Sequence, residues 1–454
     1  MKLTKEQRKL FYTLMFPALI ERVLTQLFHL VDSMMVGQME NSTPAVAAVG
    51  LCGAPINLIV GVSTAFFIGT TATVAWHKGA NHPDKVRNTA YQSMLIAVGV
   101  ALLFTVISVL AARPIMTFVC GRGNENLELA VTYYRINAYG FFFQILTANI
   151  TACYRGVGIS NLPMVYNLIG GVGNVVLNYL LIYGHLGLPA MGIAGAALAT
   201  SISKGISLLI AIGSLFLKRS PIQYQKEMRL KPERTLMTRL LPIGLTSAGE
   251  QLILQSGATI TSKIIAVLPT PAIAANQVVN NLEAFAWSTG GACNAASTTL
   301  FGQSMGAGNE KQARRYLRLT LFWAWGFAAM EMLIMSFAGR PLAMAFTNDT
   351  SLYPTISGLL VISAMALPFI NSHQSISGAL RGAGDSVAPL IASLVSLWIF
   401  RVGGGFLTIH LLDWGVNAYR WCLVADQAVR CTCVAIFYLT GHWRRHLHGA
   451  MPKK

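Results

Sequence analysis

Residues 17–37 form an apolar stretch long enough to cross a membrane, yet ionisable side chains lie within it. Asp32 follows Glu21 by eleven residues, which places the two carboxylates about 20° apart around an α-helix. Thr25 lies on the same side of the helix, so the three side chains form one stripe along it. An unpaired charge at the centre of a bilayer costs at least about 2.5–3.5 kcal/mol on insertion scales. The stripe is therefore expected to face protein or water, where a carboxylate can hold a proton or a monovalent cation.

Oxygen-bearing side chains recur at helical spacing on two later apolar stretches. Asn174 and Asn178 lie one turn apart in a glycine-rich segment, and Thr200 belongs to the next segment. Together with Asp32 they form an all-oxygen set suited to a hard cation such as Na⁺. Buried Asn and Thr residues in membranes often only join helices through hydrogen bonds. A purely structural role for the amides and the hydroxyl therefore stays open.

The composition of the chain indicates a membrane protein. Of 454 residues, 54% are hydrophobic and 11% are charged, and the mean hydropathy is +0.53, which is unlike a soluble domain. A span needs roughly 20 mainly apolar residues. The predicted fold class is an all-α polytopic membrane protein with twelve transmembrane helices in two six-helix lobes. The predicted spans are 10–37, 45–74, 89–112, 129–153, 162–183, 191–217, 240–268, 271–300, 315–338, 354–379, 387–411 and 416–440.

The two halves of the chain repeat one another at a shift of about 226 residues. Pro242 repeats Pro17, and Arg381-Gly-Ala-Gly384 repeats Arg155-Gly-Val-Gly158. Because six spans is an even number, both halves keep the same orientation, as in a parallel repeat. The predicted domains are an N-lobe at 1–217, a cytoplasmic interlobe linker at 218–239, a C-lobe at 240–440 and a basic cytoplasmic tail at 441–454.

The positive charge of the chain is distributed unevenly between the two sides of this topology. The formal net charge is +17, and 24 of the 34 Lys and Arg residues fall in the predicted cytoplasmic segments, against three on the opposite side. This bias is the positive-inside signature and predicts a multi-pass cell-membrane protein with both termini in the cytoplasm. A nucleic-acid-binding surface would instead concentrate charge on one face beside aromatic platforms, so no nucleic-acid partner is expected.

Further ionisable and amide side chains lie inside the predicted spans. Glu21 and Lys204 should lie at comparable depth, which predicts a buried pair between them. The second half is not a chemical copy of the first, because the residue shifted from Asp32 is Gly257. Candidates for substrate binding or a secondary coupling site are Glu21, Lys204, Glu250, Gln255, Asn280, Glu283, Asn371 and Gln374.

The sequence lacks the HExxH motif of zinc metalloproteases and the GxxxxGK[ST] motif of phosphate-binding P-loops. We therefore expect no enzyme activity, no cofactor, and no metal beyond Na⁺ at Asp32.

At these residues the chain resembles the multidrug and toxic compound extrusion (MATE) family of cation-coupled antiporters. The resemblance extends over nearly the whole chain and implies two six-helix lobes, with export driven by inward Na⁺ or H⁺. It rests on Asp32-Ser-Met-Met-Val-Gly37, Ala45-Val-Ala-Ala-Val-Gly50, the Gly79-Ala80 loop, Arg155-Gly-Val-Gly158, Asn174-Val-Val-Leu-Asn178 and Gly195-Ala-Ala-Leu-Ala-Thr200.

The resemblance implies roles for individual residues. Some family members have Asp where this chain has Asn178, so one negative charge is missing here. Glu250 matches a carboxylate that one branch uses in the C-lobe, but that branch has an Asp in span ten where this chain has Asn371. Pro17 occupies the place of a proline associated with helix bending, which a missing hydrogen bond makes reasonable. The implied cation-coupling site consists of Asp32, Asn174, Asn178 and Thr200.

The expected function is secondary active antiport. The protein would export organic, cationic drugs or metabolites in exchange for Na⁺ or H⁺ by alternating access of the two lobes. Its expected partners are a small organic substrate and the lipid bilayer, and a monomer is expected. The alternative is a lipid-linked oligosaccharide flippase of the wider superfamily. A flippase would need a strongly cationic cavity for pyrophosphate, whereas the stripe on the first span contains two acids.

Overall fold

The structure is a computed structural model that describes residues 3–39, 42–121, 123–216, 221–222, 234–347 and 349–444. These residues are almost entirely helical. In the first half the helices are α1 (Lys5–Gly37), α2 (Ser42–Phe66), α3 (Ile68–Gly79), α4 (Pro83–Leu110), α5 (Ala112–Cys120), α6 (Leu127–Val157), α7 (Asn161–Tyr183) and α8 (Gly192–Leu215).

The second half continues in the same way. Short 3₁₀ helices cover Thr350–Leu352 and His442–Arg444, and π-helical segments cover Leu397–Gly403 and Leu407–Leu411. The α-helices are α9 (Arg234–Ile265), α10 (Thr270–Gly306), α11 (Glu310–Phe337), α12 (Gly339–Phe346), α13 (Tyr353–Ala364), α14 (Leu367–Ala383), α15 (Val387–Ser396), α16 (Gly404–Phe406) and α17 (Gly415–Leu439).

Each of the twelve predicted spans coincides with helix. Within the described ranges, nine helical stretches are long and apolar enough to cross a membrane. The other three predicted spans correspond to α6, α9 and α10, which are more polar but have 31, 32 and 37 residues. Each exceeds the roughly 20 residues that a span needs.

Three predicted spans are interrupted where the sequence analysis expected continuous helices. The second span consists of α2 and α3, which meet at Phe67. The tenth consists of α13 and α14, and Pro368 in the first turn of α14 has no N–H to continue the hydrogen-bond ladder of α13. The eleventh changes from α-helix to π-helix at Leu397. In addition, the short helices α5 and α12 follow the third and ninth spans.

The described chain divides into two compact units. The N-unit contains Phe16–Gly244, and the C-unit contains Met1–Met15 with Leu245–Lys454. The boundaries fall inside α1 and α9, close to the proline that each helix contains, Pro17 and Pro242. The predicted linker at 218–239 and tail at 441–454 lie largely outside the described residues, and the predicted lobe boundaries stay a prediction.

A hydrophobic core in the N-unit joins the helices that carry the predicted cation site. Buried side chains from α1, α2, α5, α6, α7 and α8 form one cluster, which includes Val36, Cys52, Tyr134, Ile182 and Ile193. Gly195 on α8 lies so close to α7 that an added β-carbon would overlap the Leu181 carbonyl. Small residues of this kind let membrane helices approach closely.

The C-unit has its own core between α10, α11, α12, α13, α14 and α17, with Ala286, Ile356, Leu360 and Leu423 among its buried residues. Here α14 approaches α10 at Gly382, where an added β-carbon would reach the backbone of Thr298. Both units therefore use the same small-residue packing.

Candidate functional site

The structure brings the four predicted cation-site residues together where α1, α7 and α8 meet in the N-unit. Asn178 Nδ2 donates to Asp32 Oδ1 at 2.6 Å. With its amide nitrogen toward the carboxylate, Asn174 donates to Asp32 Oδ1 at 2.7 Å and to Oδ2 at 3.0 Å. Its amide oxygen then accepts from the Thr200 backbone N–H at 3.2 Å. Asp32 is thus bound by two side-chain amides from α7.

The orientation of the Asn174 amide follows from its neighbours. In the opposite orientation its nitrogen would meet Thr200 Oγ1 at 3.4 Å, and its oxygen would face the Asp32 carboxylate. Because two acceptors that face one another repel, we assign the orientation in which Asn174 donates to Asp32.

Other oxygen atoms at this cluster also have free acceptor capacity. Asn178 is 1% exposed, and its Oδ1 has no hydrogen-bond partner among the described residues. The Thr200 hydroxyl donates to the Ala196 carbonyl at 3.0 Å, which leaves the lone pairs of its oxygen available. A carboxylate, two amide oxygens and a hydroxyl are ligands that hard cations prefer.

Lys204 is the basic side chain associated with this site. It interacts electrostatically with Asp32, and its ammonium lies 5.9 Å from the centroid of the Phe141 ring. Among the salt bridges of the described residues, however, there is none that contains Asp32 or Lys204. The carboxylate is therefore held by neutral donors and not by a bound base.

The predicted pair between Glu21 and Lys204 is wrong. Arg155 Nη2 donates to Glu21 Oε2 at 2.9 Å, and Asn167 Nδ2 donates to Oε1 at 2.8 Å. Comparable depth in the membrane does not determine which helices are neighbours around Glu21. Arg155 reaches it from the last turn of α6, whereas the Lys204 ammonium lies at Phe141.

The candidate acids of the C-unit are held in ion pairs. Glu250 accepts from Arg381 through Oε2 and from the Ser393 hydroxyl through Oε1, the latter at 2.8 Å. Glu283 accepts from Arg420 at 2.8 Å. Arg420 also donates to Asn280 Oδ1 at 2.9 Å, which brings Asn280 and Glu283 together around one guanidinium.

The remaining C-unit candidates lie elsewhere. Asn371 Nδ2 donates to the Ala324 carbonyl at 3.3 Å, and Gln374 accepts from Asn294 at its carbonyl and at Oε1, at 2.9 and 3.3 Å. These bonds join α14 to α11 and to α10. Gln255 lies half-buried on α9. The described contacts do not bring these three side chains to Glu250.

A fully buried ion pair in the C-unit was missed by the sequence analysis. Arg430 Nη2 donates to both carboxylate oxygens of Asp426, at 2.8 and 3.1 Å, and Arg430 Nε donates to the Ser396 hydroxyl at 3.1 Å. The signal was present, since an acid and a base four residues apart share one helix face. The partners Arg155 and Asn167 were also missed, although Asn167 is one of three asparagines on a single face of α7.

One sequence motif suggests an enzyme and is not supported by the geometry. Gly302-Gln-Ser304-Met-Gly306 has the GxSxG spacing of a hydrolase nucleophile elbow. Ser304 instead lies in regular helix near the end of α10, is buried, and donates its hydroxyl to the Leu300 carbonyl at 2.8 Å. An elbow needs an exposed serine on a sharp turn between strand and helix.

The family of the chain follows from its full length and not from the site alone. The family model described as MatE matches residues 17–180 and 247–407, which cover most of both halves. The chain belongs to the MATE family. The predicted family, the twelve-helix fold and the prediction of a transporter rather than an enzyme are thereby confirmed.

Relatives of this MATE protein align over nearly all of it. It is 27% identical over 440 residues to the probable multidrug resistance protein NorM of Thermotoga maritima, covering 97% of this chain and 94% of the relative. Two solved structures share its fold. A multidrug resistance MATE family transporter of the MOP superfamily, in an outward-facing conformation, has a TM-score of 0.87 at 20% identity and full coverage of both chains. A MATE crystal structure in complex with MaD3S has a TM-score of 0.87 at 21% identity, covering 98% and 97%.

Proposed function

We propose that this MATE transporter is a secondary active antiporter that exports small organic, cationic compounds in exchange for Na⁺ or H⁺, with Asp32 as the coupling carboxylate. The observation that carries the proposal is that Asp32 is held by two amides and by no base. Its negative charge is therefore available to a cation that comes and goes. A carboxylate already bound by an arginine would offer no such site.

The amides allow the site to change state with little rearrangement. In the cation-free state, Asn174 and Asn178 donate to Asp32. When a cation enters, Asn174 turns its oxygen toward the carboxylate, and Asn178 Oδ1 and the Thr200 hydroxyl supply further oxygens. For H⁺, the proton is held between Asp32 and the turned Asn174 oxygen. The same residues thus serve either ion.

Coupling requires that the cation stabilise one conformation of the transporter more than another. If organic substrate and cation favour opposite conformations, the binding of one promotes release of the other, and this linkage is reciprocal. A permanently neutral group at position 32 could bind no cation and could not link the two. Alternating access of the two lobes supplies the conformations.

The substrate class is supported by the relatives and by the charge of the site. The Thermotoga maritima relative is described as a probable multidrug resistance protein, and one MATE structure is a complex with MaD3S. Asp32, which forms no salt bridge with the described residues, favours a cationic compound, whereas Glu21 is already paired with Arg155. Arg381, Arg420 and Arg430 of the C-unit are each paired with a carboxylate, which weighs against the pyrophosphate pocket that an oligosaccharide flippase would need. We propose that the protein acts as a monomer.

The test is transport of ethidium, a fluorescent organic cation, into everted vesicles driven separately by an imposed pH gradient and by a Na⁺ gradient. We expect wild-type protein to respond to at least one gradient. Asp32→Asn should insert in equal amount and lose gradient-driven transport. Asn126→Asp, a substitution outside the site, serves as a control for mutagenesis. Full activity of the Asp32→Asn protein would show that the cluster only joins helices.

We further propose that both termini and the 218–239 linker are cytoplasmic, on the basis of the 24-to-3 charge bias. Gln225→Cys and Phe346→Cys, each in a background without native cysteines, can be exposed to a membrane-impermeant thiol reagent on intact cells. Only the cysteine at position 346 should be labelled. Labelling at position 225 alone would invert the proposed topology.

A further inference from the structure

Two largely buried arginines lie at the ends of equivalent helices of the two units. Arg155 lies in the last turn of α6 and Arg381 in the last turn of α14. Each helix is closed by a left-handed glycine, Gly158 with φ of +100° and Gly384 with φ of +102°, and the N–H of each glycine donates to the arginine carbonyl at 3.0 Å. The two guanidinium groups therefore start from matching backbones.

Each arginine binds a glutamate on the first helix of its unit, Glu21 on α1 and Glu250 on α9. The same glutamate also accepts from a residue on the helix that follows the arginine. That residue is Asn167 in the N-unit and Ser393 in the C-unit, and the two are related by the 226-residue shift. We call each set of three residues a clamp, because it ties three helices of one unit together.

The clamps are built in a low-dielectric setting. The side-chain exposures are 15% for Arg155 and 9% for Glu21, and 8% for Arg381 and 5% for Glu250. Removing one partner from such a pair leaves an uncompensated buried charge, which is strongly unfavourable. The glutamates differ in position by one turn, at four residues after Pro17 and eight after Pro242. Both units therefore have an arginine–glutamate pair, although the glutamate lies one turn further from the proline in the C-unit.

Two of the three helices that the N-unit clamp joins, α1 and α7, also contribute residues to the cation site. Glu21 bonds to Asn167, and Asp32 bonds to Asn178. Each pair is separated by 146 residues, so the step from one to the other is eleven residues on both helices. At 1.5 Å per residue the two pairs lie about 16 Å apart along parallel helices.

One packing contact lies between these two pairs. Phe28 lies against Gly171, where an added β-carbon would overlap the phenyl ring. Because α1 and α7 otherwise approach each other closely at few places, the two hydrogen-bonded pairs determine much of the alignment between these helices. The clamp therefore sets the position from which Asp32 meets its amides.

The C-unit contains a natural control. The counterpart of Asp32 there is Gly257, and an added β-carbon at that position would overlap the Leu397 side chain. A carboxylate does not fit at this place, so the C-unit clamp has no counterpart of Asp32 to position.

We propose that Arg155 and Asn167 are positioning residues for cation coupling: with Glu21 they hold α1 in register with α7, and thereby hold Asp32 at Asn174 and Asn178. The inference rests on the proposed function, since it assigns the cation to Asp32. The C-unit clamp of Arg381, Glu250 and Ser393 contributes to stability alone.

The test uses purified, detergent-solubilised protein and two readouts. The first is the thermal unfolding midpoint, and the second is the Na⁺ concentration, or the proton concentration, that gives half-maximal thermal stabilisation, which measures binding by linkage. Arg155→Gln is compared with Arg381→Gln. Because an unpaired glutamate can prevent folding, the milder Asn167→Ser, which installs the residue type of the C-unit, is compared with Ser393→Ala.

We expect Arg155→Gln and Arg381→Gln to lower the unfolding midpoint to a similar extent. Only Arg155→Gln and Asn167→Ser should raise the half-maximal cation concentration, by about fivefold or more. Adding Glu21→Gln to Arg155→Gln removes the uncompensated charge and should restore part of the unfolding midpoint, but it should leave the half-maximal cation concentration raised, because the clamp is still broken.

An equal shift of cation dependence in both units, or no shift in either, would overturn the positioning role. Failure of the proposed function gives a different result. In that case Asp32→Asn leaves wild-type cation stabilisation and ethidium transport intact, whatever the clamp variants do.

Discussion

Asp32 in the N-unit and Asp426 in the C-unit are carboxylates in membrane-spanning helices that have opposite kinds of partner. In the N-unit, Asp32 accepts hydrogen bonds from two neutral amides. In the C-unit, Asp426 is bound through both oxygens by Arg430, and both residues are fully buried. A carboxylate that forms a buried ion pair with an arginine of the same chain cannot readily exchange that arginine for a free ion. A buried acid alone therefore does not mark a coupling site, because the partner of the acid decides whether its charge is available to a cation.

The largest expected effect comes from breaking the closed pair. Asp426→Asn leaves the Arg430 guanidinium buried without a counter-charge, and should destabilise the protein by about 3–5 kcal/mol. Asp32→Asn should stay within about 1 kcal/mol of wild type, because asparagine keeps an acceptor for the amides. Unfolding by denaturant in mixed micelles measures both.

The matched control is the double variant Asp426→Asn with Arg430→Met, which removes the orphaned charge and should recover most of the lost stability. Equal destabilisation by Asp32→Asn and Asp426→Asn would remove the contrast between the units.

A second prediction sharpens the contrast within the N-unit. Asn178→Asp places a second negative charge beside Asp32, which strengthens the attraction for a cation. The half-saturating concentration of the coupling cation should fall by at least about tenfold, equivalent to about 1.4 kcal/mol. Initial rates of ethidium transport at a series of cation concentrations give this value.

Gln144→Glu on α6, a change of the same kind outside the hydrogen-bonded cluster, is the control for the added charge. An unchanged half-saturating concentration in Asn178→Asp would mean that the cation binds somewhere other than at these amides.

The last prediction concerns packing that the two units share. Gly195→Ala should destabilise by about 1–3 kcal/mol, because the new methyl group overlaps the Leu181 backbone. Gly382→Ala should do the same at Thr298 in the C-unit. Gly213→Ala, on α8 with open space around it, should be neutral or stabilising by up to about 1 kcal/mol. A destabilising Gly213→Ala would indicate that helix packing is not the cause.

The sequence predicts the number and approximate ends of the spans, because each contains an apolar run of sufficient length. It does not predict the break at Phe67, which has no proline or polar residue to mark it. Nor does it predict the π-helical segments from Leu397, because the apolar pattern of the eleventh span continues through them. Hydropathy reports which residues leave water, and it contains little information on the hydrogen-bond ladder inside a helix.

The grouping of Asp32, Asn174, Asn178 and Thr200 follows from the family resemblance, and the structure brings them together. The partner of Glu21 could not be predicted in the same way. Depth along a helix follows from residue count, but the choice between Arg155 and Lys204 depends on which helix faces which. The repeat contained the missing information, since Arg155 and Arg381 occupy equivalent positions and both have a glutamate on the first helix of their unit within reach.

The two ion pairs of α17 have different consequences for biogenesis. Asp426 and Arg430 lie one turn apart on one helix, so their charges can compensate each other as soon as that helix forms in the translocon. Arg420 finds its carboxylate, Glu283, on a helix synthesised 137 residues earlier. The partner of Arg420 is therefore not on α17, and its charge is matched only when α17 packs against α10. Pairing of Arg420 with Glu283 is then a late step in the assembly of the C-unit, because it joins α17 to a helix made long before it.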